Sequence, residues 1–488
     1  FQMFSILLII PLASAVEIAK VRFKDIEQQL NIQAPDDFKL IFSNVIWRHG
    51  DRAPERPLPG GVDKLTEADW KFGGGGYGEL STQGMTMHFN LGRNKIRARY
   101  VDDSFLSSKY NSRQIYCRSS DYNRTLISAY SNLAGMYSNF PTNEAGVDYP
   151  SDLTDWPTGY VPIAIHTVEE TNDMAAVPDA ECARQDELWE MIQGSVPYKS
   201  YENDPQVRAT LEYISFHVNS TVTFENLYQI QDTIFCESNH MNDVGSGQNI
   251  TDWYPWYFTG EVEDLVDSIV DMNELFQNGQ GIPDGVDGID VTTETLRIRT
   301  GATMQMINAK MEGVLNCFLA SNGKTEKCAQ AYEQLRYFML SAHDSTVDSY
   351  LTGLGAKKYV VFEGYPLYSA AILTELYINT TSLEPYVQIM YHDDPSDDFR
   401  PITSYASGCP IDSTFCPLAA YQEIVHKYDP GDINQLCATP VRTSSDPADS
   451  STAPIDAPTV SPSPEATTKS ASLCVSSWIL LSLITLFY

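Results

Sequence analysis

The sequence predicts an α/β fold in which helices flank a central mixed sheet and a mostly helical cap domain is inserted into the chain. Three short apolar segments rich in β-forming residues, at 40–47, 114–117 and 336–340, each end in a polar cluster and each precede a loop and a helix-like pattern. Between about 167 and 303, helical patterns follow one another without strong strands between them. Repeated strand–loop–helix units indicate a layered sheet, and the helical stretch indicates an insertion.

The first two strands each lead into a segment whose apolar residues recur at helical spacing. Residues 81–100 open with Ser81 and Thr82, which favour a helix N-terminus, and residues 121–137 repeat apolar side chains every three or four positions. The segments 183–193 and 262–276 predict helices of the cap, whereas 370–378 and 386–391 predict a strand pair that closes the sheet.

The composition predicts a folded and strongly acidic protein. Apolar residues make up 43% of the 488 residues, which is ordinary for a globular chain. The 64 acidic and 32 basic side chains give a formal net charge of −32, and a surface of that charge repels nucleic acid and anionic lipid. We therefore expect no nucleic-acid partner. The same charge disfavours polyanionic substrates unless a local basic pocket offsets it.

Both ends of the chain predict processing. Residues 1–15 hold an apolar run followed by Ala13-Ser14-Ala15, the pattern of a secretory signal peptide with its cleavage site. Residues 443–472 are rich in Ser, Thr and Pro and predict a disordered stalk, and 473–488 form an uncharged apolar tail. This order favours a GPI-attachment signal over a transmembrane anchor or a plain tail, because a bilayer span needs about 20 residues. We expect this tail to anchor the protein to a membrane.

The folded part divides into two portions of an α/β domain, 17–166 and 304–442, with the cap at 167–303 between them. Nine cysteines and several N-x-Ser/Thr sequons agree with the secretory pathway, and thus with an extracellular, cell-surface or lysosome-like location. The glycosylation candidates are Asn219, Asn249 and Asn379. Cys409 and Cys416 bracket a short loop and predict a local disulfide.

Polar clusters follow the three predicted strands. They are Arg48-His49-Gly50-Asp51-Arg52-Ala53-Pro54, Arg118-Ser119-Ser120-Asp121 and His343-Asp344. Groups at the carboxyl ends of strands meet at the edge of an open α/β sheet, where such folds bind ligands. Arginine offers planar, permanently charged donors that suit phosphate oxygens, and a histidine among them can act as a nucleophile. The pattern predicts a phosphate site with a histidine nucleophile.

These motifs resemble the histidine acid phosphatase family, which is branch 2 of the histidine phosphatase superfamily. The resemblance rests on the R-H-G-D-R-A-P motif at 48–54 and the S-A-H-D motif at 341–344, with further agreement at 80–84, 118–125, 162–167, 408–410 and 416–417. It extends from about 39 to 429 and is closest to the prostatic and lysosomal acid phosphatase type.

The resemblance implies hydrolysis of small phosphate monoesters through a covalent phosphohistidine. His49 is then the nucleophile, and Asp344 is the acid that protonates the leaving oxygen. The implied phosphate ligands are Arg48, Arg52, Arg118 and His343. The resemblance implies no cofactor and no metal, and it suggests a homodimer.

The resemblance also implies a disulfide between Cys182 and Cys437. It leaves Cys236 without the family's usual partner, because alanines stand in that region, and Cys317 or Cys328 is the expected substitute.

Two other functions stay open. A phytase-like inositol polyphosphatase needs a pocket with additional Lys and Arg, and few stand near the motifs. A surface or binding protein with an idle site is disfavoured by the complete catalytic set. Within the motifs, Asp51 is expected to be a structural partner of an arginine, and the aromatic stretch 253–257 is expected to serve domain packing.

Overall fold

A seven-stranded mixed sheet forms the centre of the protein in the computed structural model, which describes residues 34–157, 159–241, 248–320, 325–361, 364–393 and 397–440. The predicted signal peptide, stalk and tail lie outside these residues. The strands are β1 Phe38–Arg48, β2 Ile115–Ser119, β3 Tyr337–Ala342, β4 Ala371–Asn379, β5 Pro385–His392, β6 Arg400–Pro401 and β7 Cys416–Pro417. All five predicted strands are present, and the predicted α/β class with a mixed sheet is confirmed.

Helices cover both faces of the sheet and form most of the chain between β2 and β3. They are α1 Thr82–Asn90, α2 Asn123–Tyr137, α3 Ala183–Gly194, α4 Val196–Glu202, α5 Pro205–Val218, α6 Leu227–Asn239, α7 Ile250–Trp253, α8 Glu261–Gln277, α9 Val291–Arg299, α10 Gly301–Leu319, α11 Asp344–Leu354, α12 Lys357–Val360, α13 Leu418–Lys427 and α14 Ile433–Cys437. The predicted helix at 81–100 begins as α1 and continues as a π-helix over Leu91–Asp102.

The strand order β2-β3-β1-β4-β5-β6 places three parallel strands side by side, with antiparallel strands beyond β1. Because β1, β2 and β3 are parallel, their carboxyl ends meet at one edge of the sheet. The register pairs Arg48 with Ala342 across β1 and β3, and Ser119 with Ser341 across β2 and β3. The topology therefore delivers the ends of all three predicted motif strands to one edge.

Alternation along the strands divides the core between the two faces of the sheet. On one face Phe42 and Ile46 pack with apolar residues of α10, α11 and α13. On the other face Val45 and Trp47 pack with the π-helix and α2.

A third apolar core lies among the helices from α3 to α9, with residues drawn from Met174 to Ala302 and with Leu58 from the segment after β1. Its boundary with the sheet core runs through α10, because Ala302 belongs to the helical core whereas Met304 and Ile307 pack on the sheet side. The predicted division at 303 thus falls inside a helix, and the assignment of 167–303 as a separate domain stays a prediction.

The described residues contain three disulfides, Cys182–Cys437, Cys317–Cys328 and Cys409–Cys416. The first and third are the predicted pairs. The expectation that Cys236 would bond to Cys317 or Cys328 is wrong, because those two residues bond to each other. Cys236 is instead a buried free thiol.

The three glycosylation candidates lie at the surface. Asn219 and Asn249 are exposed, whereas Asn379 is half-buried and its side-chain amide donates to Asp37 at 2.8 Å. Their glycosylation stays a prediction. No helix in the described part of the chain is both long and apolar enough to cross a membrane.

Candidate active site

The site is built where the three parallel strands end. His49 directly follows β1, and its backbone N–H donates to the carbonyl of Ala342, the last residue of β3, at 3.0 Å. Ser120 directly follows β2, and its N–H donates to the carbonyl of Ser341 at 3.0 Å. These backbone bonds extend the strand pairing beyond the sheet, so that the residues which follow each strand are held side by side.

His49 is buried in a defined tautomer. Its side chain is almost inaccessible, with the residue 1% exposed, and Nδ1 lies 2.8 Å from the carbonyl oxygen of Gly50. A carbonyl oxygen can only accept, so Nδ1 carries the proton and Nε2 keeps a free lone pair. Burial, followed by the charges of Arg124 and Arg52, lowers the pKa of His49 well below its ordinary value. The imidazole is therefore neutral and nucleophilic even in acidic solution.

The loop after His49 is clamped by α1. A Cβ atom at Gly50 would lie 2.5 Å from the carbonyl oxygen of Gly84, so the two backbones meet at a distance that only glycine permits. Ser81 caps α1 by accepting from the N–H of Gly84 at 2.9 Å, and its hydroxyl donates to Asp51. The N-terminus of α1 therefore fixes the backbone beside His49.

The prediction that Asp51 pairs with an arginine is wrong, because within the described residues its ion-pair partner is His240. Asp51 is fully buried, and its carboxylate lies 2.6 Å from Nε2 of His240 and accepts from Nδ2 of Asn239 at 3.3 Å. Asn239 is the last residue of α6, so Asp51 links the histidine loop to the helical part of the protein.

Arg48 connects the first and third motifs. Its guanidinium lies 2.8 Å from Oδ2 of Asp344, donates to the carbonyl of Pro366 at 2.7 Å and lies 4.3 Å from the ring centre of Tyr368. Asp344 is the first residue of α11, where a helix N-terminus favours negative charge. Burial raises the pKa of Asp344, but Arg48 and Arg52 outweigh burial and hold that pKa below its ordinary value. Asp344 is therefore a carboxylate when no substrate is bound.

Two further arginines complete the cationic group. Arg52 makes two hydrogen bonds of 3.0 Å each to the carboxylate of Asp232 on α6. Arg124, in the first turn of α2, lies 2.8 Å from Oε1 of Glu55. Burial lowers the pKa of Arg124, and its charge is the largest electrostatic influence on His49.

Arg118 is not part of this group. The prediction ended β2 at residue 117, but the strand continues to Ser119, so Arg118 points from a face of the sheet rather than from its edge. Its guanidinium pairs with the buried carboxylate of Asp173 and contacts the sulfur of Met306 on α10 at 2.8 Å. Arg124 takes the place we had expected for Arg118. The available signal was the second arginine of R-S-S-D-Y-N-R, which lies in the predicted helix.

His343 stands between the second and third motifs. Its Nε2 lies 2.9 Å from the hydroxyl of Ser120, and its side chain accepts the N–H of Thr346 at the start of α11. The ring centre lies 5.8 Å from that of His49. Burial, followed by the charge of Arg124, lowers the pKa of His343 to about 3. This histidine is therefore neutral, and its Nε2–H group, at the floor of the site, donates to the hydroxyl of Ser120.

A cavity of about 860 Å³ opens from this group toward the helices, and Arg48, Arg52, Arg124, His343 and Asp344 lie in its wall. Seven carboxylates and four arginines line it, without a lysine among the described lining residues. The carboxylates are Glu55, Asp179, Asp186, Asp232, Glu263, Asp267 and Asp344. Within the aromatic stretch 253–257, Tyr254 and Tyr257 are buried in the helical core, and Tyr257 also reaches the cavity. No group of three potential metal ligands occurs among the described residues.

Known proteins resemble this chain over most of its length. The model of the histidine phosphatase superfamily, branch 2, matches residues 39–392. A Caenorhabditis elegans protein that carries an acid phosphatase name is 31% identical across 83% of this chain and 89% of its own length. Human prostatic acid phosphatase is 29% identical across 82% of this chain and 88% of its own length.

Among solved structures, the phytase of Citrobacter braakii superposes with a TM-score of 0.52 at 12% identity, covering 80% of this chain and 98% of the phytase. At that identity the likeness concerns the fold alone. The family match covers the three motif segments and the helices between them, and it agrees with the arrangement at the sheet edge. The chain therefore belongs to branch 2 of the histidine phosphatase superfamily.

Proposed function

We propose that this protein is an acid phosphatase that hydrolyses phosphate monoesters through a phosphohistidine on His49. The observation that carries the proposal is the buried, neutral imidazole of His49, with its Nε2 lone pair free and three arginines around it. In the first step Nε2 bonds to phosphorus while the bond from phosphorus to the ester oxygen breaks. In the second step water attacks phosphorus, the N–P bond breaks, and inorganic phosphate leaves.

Arg48, Arg52 and Arg124 would hold the three oxygens of the transferring group, with His343 as a further donor. Charge spreads over these oxygens in the transition state, and fixed guanidinium groups stabilise it strongly. Before substrate binds, the three arginines are paired with Asp344, Asp232 and Glu55. The substrate phosphate therefore has to compete with carboxylates for the same donors.

Asp344 would supply the proton for the leaving oxygen and later accept one from the attacking water. Its pairing with Arg48 favours the charged form, which cannot donate a proton. A phosphate dianion that takes over Arg48 removes this stabilisation and adds a nearby negative charge, and both changes raise the pKa of Asp344. Binding of substrate thus prepares the acid, and low pH assists it.

The charges of the cavity favour this function over an inositol polyphosphatase. Four arginines against seven carboxylates give a wall that repels a substrate carrying many phosphates. The site residues of a phosphatase are present together, which argues against a binding protein with an idle site.

We further propose that the enzyme acts in the secretory pathway or outside the cell, anchored by its C-terminal tail and paired as a homodimer. The three disulfides support an oxidising location. Release from cells by a phosphatidylinositol-specific phospholipase tests the anchor, and the mass of the purified protein in solution tests the dimer.

The role of His49 is tested with the variants His49→Asn and His49→Ala. We expect kcat for p-nitrophenyl phosphate to fall at least about 1000-fold in both, because no nucleophile remains. The matched control is His426→Asn, an exposed histidine on α13 that should leave kcat unchanged. An acid-labile phosphoryl group should be trapped on the wild type and absent from both His49 variants. Turnover by either folded His49 variant near the wild-type rate would refute the assignment.

A further inference from the structure

The leaving group of any substrate attacked by His49 must occupy the cavity that opens from the arginines. Its chemistry can therefore be inferred from the walls that lie beyond the phosphate. Each of the four lining arginines is ion-paired with a lining carboxylate, and the pairs are Arg48–Asp344, Arg52–Asp232, Arg124–Glu55 and Arg299–Asp179. The other three lining carboxylates belong to α3 and α8 on the helical side and are Asp186, Glu263 and Asp267, of which Asp267 accepts from Nε2 of Gln231 at 2.6 Å.

These remaining carboxylates create a negative field inside the cavity. Glu263 and Asp267 stand one turn apart on α8, and burial, followed by the charges of Asp267 and Asp264, raises the pKa of Glu263. Like charges four residues apart on a helix repel each other. A bound phosphate would add further negative charge, so a leaving group with a positive charge would relieve the repulsion.

Aromatic side chains occupy the same wall. Trp189 follows Asp186 on α3 by three residues, which is about one helical turn. Tyr228, Tyr257 and Phe258 also line the cavity. Faces of aromatic rings attract cations, and carboxylates next to such rings strengthen this attraction. The pairing of ring and carboxylate is the chemistry that recognises an ammonium group on an apolar stem.

Apart from the Nε atoms of the arginines, two polar side-chain atoms of the wall lack a hydrogen bond among the described residues. One is Oε1 of Gln185, the residue before Asp186 in α3. The other is Oγ1 of Thr295 in α9, a residue that is only 3% exposed. Buried polar atoms are rarely left without a partner, so each is a candidate acceptor for a donor that enters the cavity. An ammonium group supplies such donors, whereas a neutral hydrocarbon does not.

We propose that the cavity selects phosphate monoesters whose leaving group is apolar or aromatic near the phosphate and carries an ammonium group at its far end. The proposal rests on the proposed function and narrows its substrate class. Asp186 and Glu263 would determine the preference by attracting the ammonium group, and the aromatic side chains would hold the stem.

Three aryl phosphates with similar para substituents test this preference. They are O-phosphotyramine, 4-propylphenyl phosphate and the phosphate of 3-(4-hydroxyphenyl)propanoate, which carry a positive, a neutral and a negative end. Their phenol leaving groups are closely similar, so differences in kcat/KM report the far end of the substrate. At about pH 6 we expect the cationic ester to exceed the neutral one by about threefold or more, and the anionic ester to be slowest.

The double variant Asp186→Asn/Glu263→Gln should lower the cation-to-neutral ratio of kcat/KM to about one, because the charges that attract the ammonium group are removed. The matched control is Glu190→Gln/Glu261→Gln, which removes the same charge from exposed positions of α3 and α8 outside the cavity wall. This control should keep the wild-type ratio.

A wild-type ratio at or below one would overturn the proposal, and so would an equal fall in both double variants, which would indicate a general field of the acidic surface. Hydrolysis of all three esters without preference would leave the phosphatase assignment intact. Failure of the folded wild type to hydrolyse any of them would overturn the proposed function as well.

Discussion

The two walls of the cavity hold their charges in different ways. At the sheet edge, the side chains of Arg48, Arg52 and Arg124 are at most 12% exposed, and each is ion-paired with a carboxylate. On the helical side, Asp186 is exposed and Glu263 is half-buried, and within the described residues neither is in an ion pair. The buried arginines are held in a fixed position by their carboxylate partners. The carboxylates on the helices act mainly through the electrostatic field that they create in the cavity.

This difference separates two tasks. A phosphoryl group has the same shape in every substrate, so a rigid set of donors suits it. Leaving groups differ in shape, so a wall that attracts by charge and aromatic contact is sufficient. Contacts between the sheet edge and the helices connect the two walls, among them the bidentate pair of Arg52 with Asp232 and the contact of Asp51 with His240.

In this comparison the largest effect on turnover is expected at Arg124, whereas Arg118 of the second motif should contribute little. Arg124→Ala should lower kcat/KM for p-nitrophenyl phosphate by about 100-fold or more, because a donor to the transferring group is lost. Arg118→Ala should change kcat/KM by less than about threefold, but it should lower Tm, because the buried carboxylate of Asp173 loses its partner. Steady-state kinetics and thermal unfolding of both variants provide the measurement.

The reverse result would contradict the roles assigned to Arg118 and Arg124. If Arg118→Ala abolished turnover at an unchanged Tm, while Arg124→Ala remained active, the sheet edge would hold phosphate through a different arginine from the one that lies beside His49.

The strands and the motif histidines were predictable because their signals are local. Apolar segments such as 40–47 end in polar clusters, and parallel strands bring their carboxyl ends to one edge by topology alone. Arg118 was misplaced because its direction depends on where β2 ends, and two residues decide whether a side chain leaves the face or the edge of a sheet.

Contacts between distant segments were not predictable from the sequence. His240 meets Asp51 across 189 positions, and Asp232 meets Arg52 across 180. Neither residue belongs to a motif, and their approach depends on how the helices pack over the sheet edge. The bond between Cys317 and Cys328 differs from the prediction, which assigned one of these two cysteines to Cys236.

An intermediate effect on turnover is expected at Tyr368, whose ring packs against Arg48 at the end of β1. Its ring lies 4.3 Å from the guanidinium carbon of Arg48, and its hydroxyl lies 3.3 Å from the thiol of Cys236 on α6. Tyr368→Leu removes the ring that positions Arg48 beside Asp344. We expect kcat/KM to fall by about tenfold. Because Arg48 lowers the pKa of Asp344, a less ordered Arg48 should also move the alkaline limb of the kcat/KM profile to higher pH.

The control is Tyr368→Phe, which keeps the ring and loses only the hydroxyl. It should retain the wild-type pH profile, with a small loss of stability from the vacant contact at Cys236. An equal fall in kcat/KM for both variants without any shift of the alkaline limb would assign Tyr368 a purely structural role.

The smallest effect on turnover is expected at Glu237, inside the helical part. Its carboxyl group is 1% exposed, accepts from the hydroxyl of Tyr254 at 2.5 Å and from the N–H of Leu65 at 3.3 Å, and burial raises its pKa to about 7. A raised pKa means that the folded state holds a proton which the unfolded state has lost above about pH 4.5. The resulting stabilisation is complete below that pH and disappears as pH rises through 7.

Glu237→Gln replaces the protonated carboxyl with a neutral amide and should remove this dependence. The free energy of unfolding of the wild type should fall by about 2 to 3 kcal/mol more than that of the variant between about pH 5 and pH 8, as measured by urea denaturation. At about pH 5, kcat/KM should stay within about twofold of the wild type, because Glu237 is absent from the cavity wall. His343 behaves in the opposite sense: its lowered pKa stabilises the fold above about pH 6.5, and this stabilisation is lost as pH falls toward 3. If the free energy of unfolding of Glu237→Gln depends on pH in the same way as that of the wild type, Glu237 does not stabilise the helical part at low pH. The proposed difference in pH response between the two parts of the molecule would then be refuted.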